Sequence, residues 1–363
     1  MPKVSIVLPT YNGEHYIGKA IESIINQTYI DWELIIVDDC STDNTGNIIE
    51  EFSNKDSRIQ VIHNVNNKRL PASLNIGFRQ AGGEYLTWTS DDNLYMDQAL
   101  EKMVDFLDYN ISFPMVCARM EVIDSQGRFL YNGGKYYKYS MFYNNCVGAC
   151  FMYRSSVVCD VGEYDESRFC IEDYEYWMRI IKKYGGIGFL DEILYKYRVH
   201  ENSLTETKRS YIKEQLLKYR IHEIDWLLSN LKDHPELITK MYCDFIHNNE
   251  EQYFLNKAIK FVPELCLLTD KIDAEEYIVW GAGHYGEKAM EVLKNKIYCF
   301  ADKNPDLVGK MLDGFKIISC EDMLKIKEKE LCIAVGDEKV YELLKDLYQS
   351  GIKHCRIVQD FIY

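Results

Sequence analysis

Acidic residues occur in pairs at three places in the first half of the chain. The pairs are Asp38 with Asp39, Asp91 with Asp92, and Glu172 with Asp173. Each pair follows or lies near the end of an apolar segment, where carboxylates are costly to desolvate, so a purely structural role for all three is disfavoured. Carboxylates can bind a divalent cation, and one can accept a proton as a general base. Any single pair could equally be a solvated turn or a helix cap, because Asp is common in turns.

The elements that must position these pairs are short strands alternating with helices. Four apolar segments predict strands: 4–8, 33–37, 59–63 and 84–89. Between the first two, Ile17, Ala20, Ile21 and Ile24 recur at helical spacing. Alternating strands and helices predict β-α-β units in a parallel α/β sheet. Ligands of such sheets bind beyond the carboxyl ends of the strands, which is where the polar pairs fall.

Five stretches in order give the sequence a more specific meaning. They are VSIVLPTYNGEHYI, ELIIVDDCSTDNT, GGEYLTWTSDDN, IEDYEYWMRI and YRVHENS. In this order they resemble the inverting family 2 glycosyltransferases with the GT-A fold. The resemblance covers about residues 3 to 205 and implies that a GT-A domain, residues 1–205, transfers a sugar from a nucleotide diphosphate sugar to a hydroxyl acceptor in glycan or cell-surface polysaccharide synthesis.

The resemblance assigns a nucleotide site to four residues. Thr10 and Tyr11 match the loop that holds the base, and a tyrosine ring there can stack on a pyrimidine. Asp39 matches the aspartate that accepts a hydrogen bond from the uracil imide, which favours a UDP-sugar. Arg69 matches a basic residue that some members direct to the nucleotide. The alternative for Tyr11 is that it only packs its loop.

The stretch Ser90, Asp91, Asp92 corresponds to the family's metal-binding DxD motif, with Ser90 in the first acidic position. Asp92 then matches the metal ligand, and Asp91 the position near the ribose or diphosphate. The implied cofactor is Mg²⁺ or Mn²⁺, whose remaining ligands would be diphosphate oxygens and water. His200 either completes the metal shell or has a structural role. The stretch could also be a plain turn.

Glu172 and Asp173 precede an amphipathic helix. The resemblance makes Asp173 the catalytic base of a single displacement, in which the acceptor oxygen attacks the anomeric carbon opposite the diphosphate. Asp173 could instead only favour the helix dipole. Gly148 and Glu172 fall where family members build the acceptor site.

Strand signals fade after residue 205, and residues 206–272 are predicted to form a helical connector. Residues 273–363 are predicted to form a small Rossmann-like α/β domain. There Gly281, Gly283 and Gly286 form a GxGxxG motif after an apolar strand, and Asp302 stands where a ribose-binding acid would be. WGAGHYG, FADKNPDLVGKMLDG and CIAVGDEK resemble the N-terminal module of sugar O-acyltransferases. The motif either binds a nucleotide or only forms a tight turn.

Composition limits the partners. A net charge of −15 argues against nucleic-acid binding. We expect no signal peptide and no membrane span, hence a cytoplasmic protein; association with the inner face of the membrane through the helical connector stays open. Two other functions remain: an inactive nucleotide-sugar-binding or regulatory protein, and an NAD-dependent oxidoreductase centred on the C-terminal domain.

Overall fold

The computed structural model describes residues 1–134, 136, 139–142, 145–246, 248–270 and 273–362. By internal contacts the chain forms two compact units, Met1–Leu216 and Leu217–Tyr363. The domain boundaries after residues 205 and 272 stay predictions. No helix in the described ranges is long and apolar enough to cross a membrane.

The first unit alternates strands and helices from β1 to β4. Its elements are β1 Val4–Thr10, α1 Ile17–Ile25, β2 Trp32–Asp38, α2 Thr45–Ser53, β3 Ile59–His63, α3 Leu70–Phe78, β4 Tyr85–Trp88, β5 Leu94–Tyr95, α4 Ala99–Tyr109, β6 Met115–Ile123, β7 Phe129–Gly133, β8 Phe151–Arg154, α5 Ser156–Val161, α6 Glu172–Tyr184, β9 Gly188–Arg198, α7 Leu204–Thr207 and α8 Arg209–His222, the last of which continues into the second unit.

One nine-stranded sheet organises this unit, in the order β3-β2-β1-β4-β8-β6-β9-β5, with β7 paired to β6. The four predicted strands are confirmed as β1 to β4, and they pair in parallel. Beyond β4 the sheet is mixed, because β8 runs antiparallel to both β4 and β6. The α/β class is therefore confirmed, whereas an all-parallel sheet is not.

The packing of β1 and α1 explains why the site loops are held firmly. Every residue of β1 is buried, as expected for a central parallel strand covered on both faces. On α1, four residues at helical spacing are buried against the sheet: Ile17, Ala20, Ile21 and Ile24. The loop between β1 and α1 is thus anchored at both ends by the core.

The second unit begins with helices and continues with a second sheet. After the end of α8 its elements are α9 Ile224–Asn230, α10 Pro235–Cys243, α11 Glu251–Ala258, β10 Tyr277–Trp280, α12 His284–Leu293, β11 Ile297–Asp302, β12 Met311–Leu312, β13 Phe315–Ser319, α13 Cys320–Lys325, β14 Glu330–Ile333, α14 Asp337–Gln349, β15 Arg356–Ile357 and α15 Gln359–Ile362. The sheet order is β12-β13-β11-β10-β14-β15, and only the β12–β13 pair is antiparallel.

Candidate active site

The loops that follow β1 and β2 are bonded to each other at the carboxyl edge of the sheet. The Asp39 amide donates to the Thr10 carbonyl at 2.8 Å. Asn12 bonds to the second loop in both directions, since its amide donates to Ser41 Oγ and its Oδ1 accepts from the Thr42 amide. Asn12 has a φ of 55°, a conformation that asparagine tolerates better than most residues. The two loops form one wall of the site.

Asp39 lies at the centre of this wall and is only 4% exposed. Its Oδ1 accepts from Asn64 Nδ2 and from the Lys68 amide, and its Oδ2 accepts from the Arg69 amide, all at 2.8 Å. A carboxylate has about four acceptor sites, so one remains for a ligand. Tyr11, by contrast, is 52% exposed, which leaves its ring free to stack.

Arg69 is the residue just before α3 and has a φ of 71°. The left-handed backbone of a bulky residue is uncommon and is usually held in place by its surroundings. Here the bond from its amide to Asp39 Oδ2 holds it. Its guanidinium carbon lies 5.3 Å from the centre of the Phe169 ring, so the predicted nucleotide loop reaches the segment before α6.

Asp91 is held under the first loop. Thr10 Oγ1 donates to Asp91 Oδ2 at 2.5 Å. Burial, followed by the charge of Asp92, raises the pKa of Asp91 to about 7. The approach is so close that a Cβ on Gly13 would lie 2.3 Å from Asp91 Oδ2 and 2.7 Å from Thr10 Oγ1. The need for glycine at position 13 was not predicted, although it lies within the first quoted stretch.

Asp92 and His200 form a pair. Asp92 Oδ2 lies 3.1 Å from His200 Nε2, with the two side chains 16% and 14% exposed. Asp92 Oδ1 is buried without a hydrogen-bond partner. Tyr16 packs against the imidazole at a centroid distance of 5.1 Å.

A divalent cation fits this pair better than a purely structural role does. A buried carboxylate oxygen without a donor is costly, and a carboxylate oxygen suits Mn²⁺ or Mg²⁺. Within the described ranges no group of three or more His, Cys, Asp or Glu could hold a metal ion. Asp92 and His200 would therefore leave most of the coordination shell to diphosphate oxygens and water.

Arg198 holds the backbone of Asp92 in place. This arginine is 4% exposed, and its Nε donates to the Asp92 carbonyl at 2.8 Å while its Nη1 donates to the Asp124 carbonyl at 3.1 Å. Its own amide donates to Asn93 Oδ1. Arg198 thus ties the end of β9 to the turn after β4.

Glu172 and Asp173 are the first two residues of α6. Asp173 Oδ2 accepts from Asn145 Nδ2 at 2.8 Å and its Oδ1 from the Tyr174 amide at 2.6 Å. Glu172 is 4% exposed, and its Oε2 is buried without a partner. Burial raises the pKa of both carboxyl groups, and the charge of Asp173 further raises that of Glu172. Asp173, which accepts two hydrogen bonds, is better stabilised as an anion than Glu172, whose Oε2 accepts none.

Tyr197, the residue before Arg198 on β9, has its hydroxyl group 3.0 Å from Thr205 Oγ1. Burial raises the pKa of Tyr197, and the charges of Asp92 and Asp173 add to the rise. No role was predicted for Tyr197, although it lies in a quoted stretch.

Gly148 lies at a turn with a φ of 72°, which favours glycine. A Cβ there would lie 2.6 Å from Met120 Cε. Its position before β8 therefore has a packing reason, and its contact with an acceptor stays a prediction.

In the second unit the glycine motif also has packing reasons. Gly281 has a φ of 118°, and a Cβ on it would lie 2.3 Å from the Ala334 carbonyl oxygen; one on Gly286 would lie 2.4 Å from the Gly281 carbonyl oxygen. Gly283, in contrast, has open space around its Cβ position. Asp302 Oδ2 accepts from the Ala282 amide at 2.9 Å. The glycine turn is thus tied to the end of β11, and nucleotide binding there stays a prediction.

Comparison with known sequences places these loops in a family. The family described as "Glycosyl transferase family 2" matches residues 5–160. WfgD from Escherichia coli, a "UDP-Glc:alpha-D-GlcNAc-diphosphoundecaprenol beta-1,3-glucosyltransferase", is 32% identical over 223 residues, which are 58% of this chain and 83% of WfgD.

Two solved structures are similar in fold to much of this chain. TarS 1-349 from S. aureus, in complex with UDP-GlcNAc, has a TM-score of 0.53 at 20% identity and covers 72% of this chain and 82% of its own. The mannosyltransferase PcManGT from Pyrobaculum calidifontis, in complex with GDP-Man and Mn²⁺, has a TM-score of 0.50 at 14% identity, covering 72% and 74%. These similarities confirm the GT-A fold.

Proposed function

The chain belongs to glycosyltransferase family 2, and from this premise we propose that it is an inverting, metal-dependent enzyme that transfers a hexosyl or N-acetylhexosaminyl group from a UDP-sugar to a hydroxyl group. One observation carries the proposal: Asp92 pairs with His200 at 3.1 Å and keeps a buried Oδ1 without a hydrogen-bond partner. A carboxylate oxygen left open in this way is what a divalent cation on a sugar diphosphate would bind.

The nucleotide would bind along the wall formed by the first two loops. The free acceptor site of Asp39 matches the imide N–H of uracil, whereas N3 of cytosine is itself an acceptor and would be unmatched. Tyr11, half-exposed, offers a ring on which a pyrimidine can stack. Arg69 and Asp91 would lie toward the ribose and diphosphate. The names of WfgD and of the TarS complex, which mention UDP-sugars, support the same choice.

Asp92 and His200 would hold the divalent cation, Mg²⁺ or Mn²⁺. When bound, such a cation stabilises the negative charge that develops on the diphosphate leaving group. Oδ1 of Asp92, which has no hydrogen-bond partner, would be the atom that binds the cation. PcManGT was solved in complex with both GDP-Man and Mn²⁺, which supports a divalent cation as cofactor here.

Asp173 would act as the base. The acceptor O–H bond breaks and its proton passes to Asp173, while the oxygen forms a bond to the anomeric carbon. On the opposite side the bond from that carbon to the diphosphate oxygen breaks, and the nucleoside diphosphate leaves with the electron pair. One displacement inverts the anomeric configuration. The two donors to Asp173, the Asn145 amide group and the Tyr174 amide, fix its orientation.

The acceptor would be a glycan or a lipid-linked sugar, bound near Gly148 and Glu172. The name of WfgD includes a diphosphoundecaprenol acceptor, which supports a lipid-linked substrate for this chain. Such an acceptor would bring the enzyme to the cytoplasmic face of the membrane as a peripheral protein.

A donor screen tests the proposal. The full chain is incubated with UDP-glucose, UDP-galactose, UDP-GlcNAc, UDP-GalNAc and GDP-mannose, with Mn²⁺, Mg²⁺ or EDTA, and released nucleoside diphosphate is measured. We expect metal-dependent release from a UDP-sugar. Binding without release from any donor would instead indicate an inactive nucleotide-sugar-binding protein.

The part of the chain after residue 205 would serve as an accessory region, with residues 206–272 as connector and 273–363 as the Rossmann-like domain. Calorimetric titration with NAD and with UDP-GlcNAc, using a chain in which Asp39→Ala weakens the first site, separates two roles. Tight binding of NAD would revive the oxidoreductase alternative, whereas no binding would support a scaffold.

A further inference from the structure

The side chain of Asn145 bonds to the proposed base Asp173 through its nitrogen, while its oxygen makes no hydrogen bond. Its Nδ2 donates to Asp173 Oδ2 at 2.8 Å. Its Oδ1 is buried and has no hydrogen-bond partner. Glu172, beside the same carboxylate, also has a buried oxygen without a partner, Oε2, but its raised pKa keeps this carboxyl group protonated, so it is not a bare acceptor. Asn145 Oδ1 is therefore an acceptor beside the base that lacks a donor, a costly state unless a ligand supplies one.

The segment that carries Asn145 is fastened to the helix that carries Asp173. Tyr174 Oη, one residue further along α6, donates to the Met141 carbonyl at 2.8 Å. The Cys146 amide in turn contacts Met141 Sδ at 3.4 Å. Asp173 and Tyr174, neighbours on α6, thus bond to Asn145 and to Met141. These two bonds hold the segment before β8 against the start of α6.

We propose that Asn145 is a positioning residue for the base Asp173, and that its Oδ1 accepts a hydrogen bond from a hydroxyl of the acceptor sugar. This inference rests on the proposed function. Because Asn145 Oδ1 lies next to the base and needs a donor, the acceptor is a sugar ring with a free hydroxyl beside the reacting one, rather than an isolated alcohol. A sugar supplies such neighbouring hydroxyls in a fixed geometry.

The amide acts on Asp173 in two ways. A donor bonded to Oδ2 stabilises the ionised carboxylate, which is the form that accepts a proton. It also fixes the carboxylate plane, so that the remaining lone pairs point toward the acceptor. Loss of the amide should raise the pKa of Asp173, and a negative charge in its place should raise it further.

The pH dependence of donor hydrolysis tests the positioning role without an identified acceptor. In hydrolysis, water replaces the acceptor hydroxyl group and gives its proton to Asp173. Wild type, Asn145→Ala and the near-isosteric Asn145→Asp are compared, with Asn132→Asp, which adds the same charge at an exposed position of β7, as control. We expect the acid limb to move up by about one pH unit in Asn145→Ala, a tenfold change in the protonation equilibrium, and further in Asn145→Asp. Asn132→Asp should match wild type.

The acceptor contact is tested with methyl glycosides and their singly deoxygenated analogues. Wild type should prefer the parent glycoside over the analogue lacking the neighbouring hydroxyl by about tenfold or more in kcat/KM. Asn145→Ala should lose most of this preference. Equal use of both sugars by the wild type would overturn the contact.

The outcomes separate this inference from the proposed function. Absence of nucleoside diphosphate release by the wild type would overturn both. Unaltered turnover in Asp173→Asn would show that Asp173 is not the base, and Asn145 would then have no base to position. If Asp173→Asn is inactive but the Asn145 variants lose rate equally at every pH, with UDP binding intact, Asn145 is merely structural and this inference alone is wrong.

Discussion

Asp92 Oδ2 and His200 Nε2 lie 3.1 Å apart although 108 residues separate them in sequence. Asp92 follows β4, whereas His200 follows β9, so the pair forms only because these two parts of the mixed sheet come together. Arg198 fixes the distance by binding the Asp92 carbonyl. The metal site we propose is thus a product of the whole sheet.

Replacing Asp92 tests that site. Asp92→Asn keeps the shape but removes the charge, and it should lower metal-dependent donor turnover by ~100-fold or more. Mn²⁺ titration of initial rates should show weaker apparent affinity. Asp97→Asn, a change at an exposed residue nearby, is the matched control. Equal rates in the two variants would contradict the assignment.

Gly13 should be needed for full nucleotide affinity. In Gly13→Ala the new methyl group would overlap Asp91 Oδ2 and Thr10 Oγ1, so the Thr10–Asp91 bond must break or the loop must move. We expect the affinity for UDP, measured by calorimetry, to fall by roughly tenfold as one hydrogen bond is lost. Gly186→Ala has no heavy atom near its Cβ position and should bind UDP as wild type does. Unchanged affinity in Gly13→Ala would show that the loop adapts.

Glu172 should make stability depend on pH. Burial raises its pKa above the ordinary value for glutamate, about 4.3. Its contribution to stability is full below that value and falls as the pH rises toward the raised pKa. Glu172→Gln cannot ionise, so its Tm should exceed that of wild type by about 2–4 °C or more at neutral pH, with a smaller gap at pH 4.5. Glu201→Gln, at an exposed residue, should follow wild type; parallel curves for Glu172→Gln would contradict the prediction.

Much of the first unit was predictable because its signals are local. β1 to β4 are continuous apolar segments, and the polar residues after β1 and β2 follow them directly in sequence. α1 shows its buried face in the spacing of Ile17, Ala20, Ile21 and Ile24. The family motifs then pointed to Asp92 and Asp173 as candidates.

The supporting residues were not predictable in the same way. Asn145 contacts Asp173 across 28 residues, and Arg198 contacts Asp92 across 106. No periodicity encodes such contacts, since they depend on how the antiparallel strand β8 and strand β9 enter the sheet. The steric need for Gly13 likewise arises only when Asp91 packs beneath the first loop.

The most direct test of the central claim is the comparison of Asp173→Asn with wild type, using the UDP-sugar that the donor screen identifies. Binding of UDP with Mn²⁺ is measured by calorimetry, and transfer or hydrolysis by nucleoside diphosphate release. If Asp173 is the base, the variant binds UDP as wild type does and turns over at least ~100-fold more slowly. Retained turnover with normal binding would contradict the account.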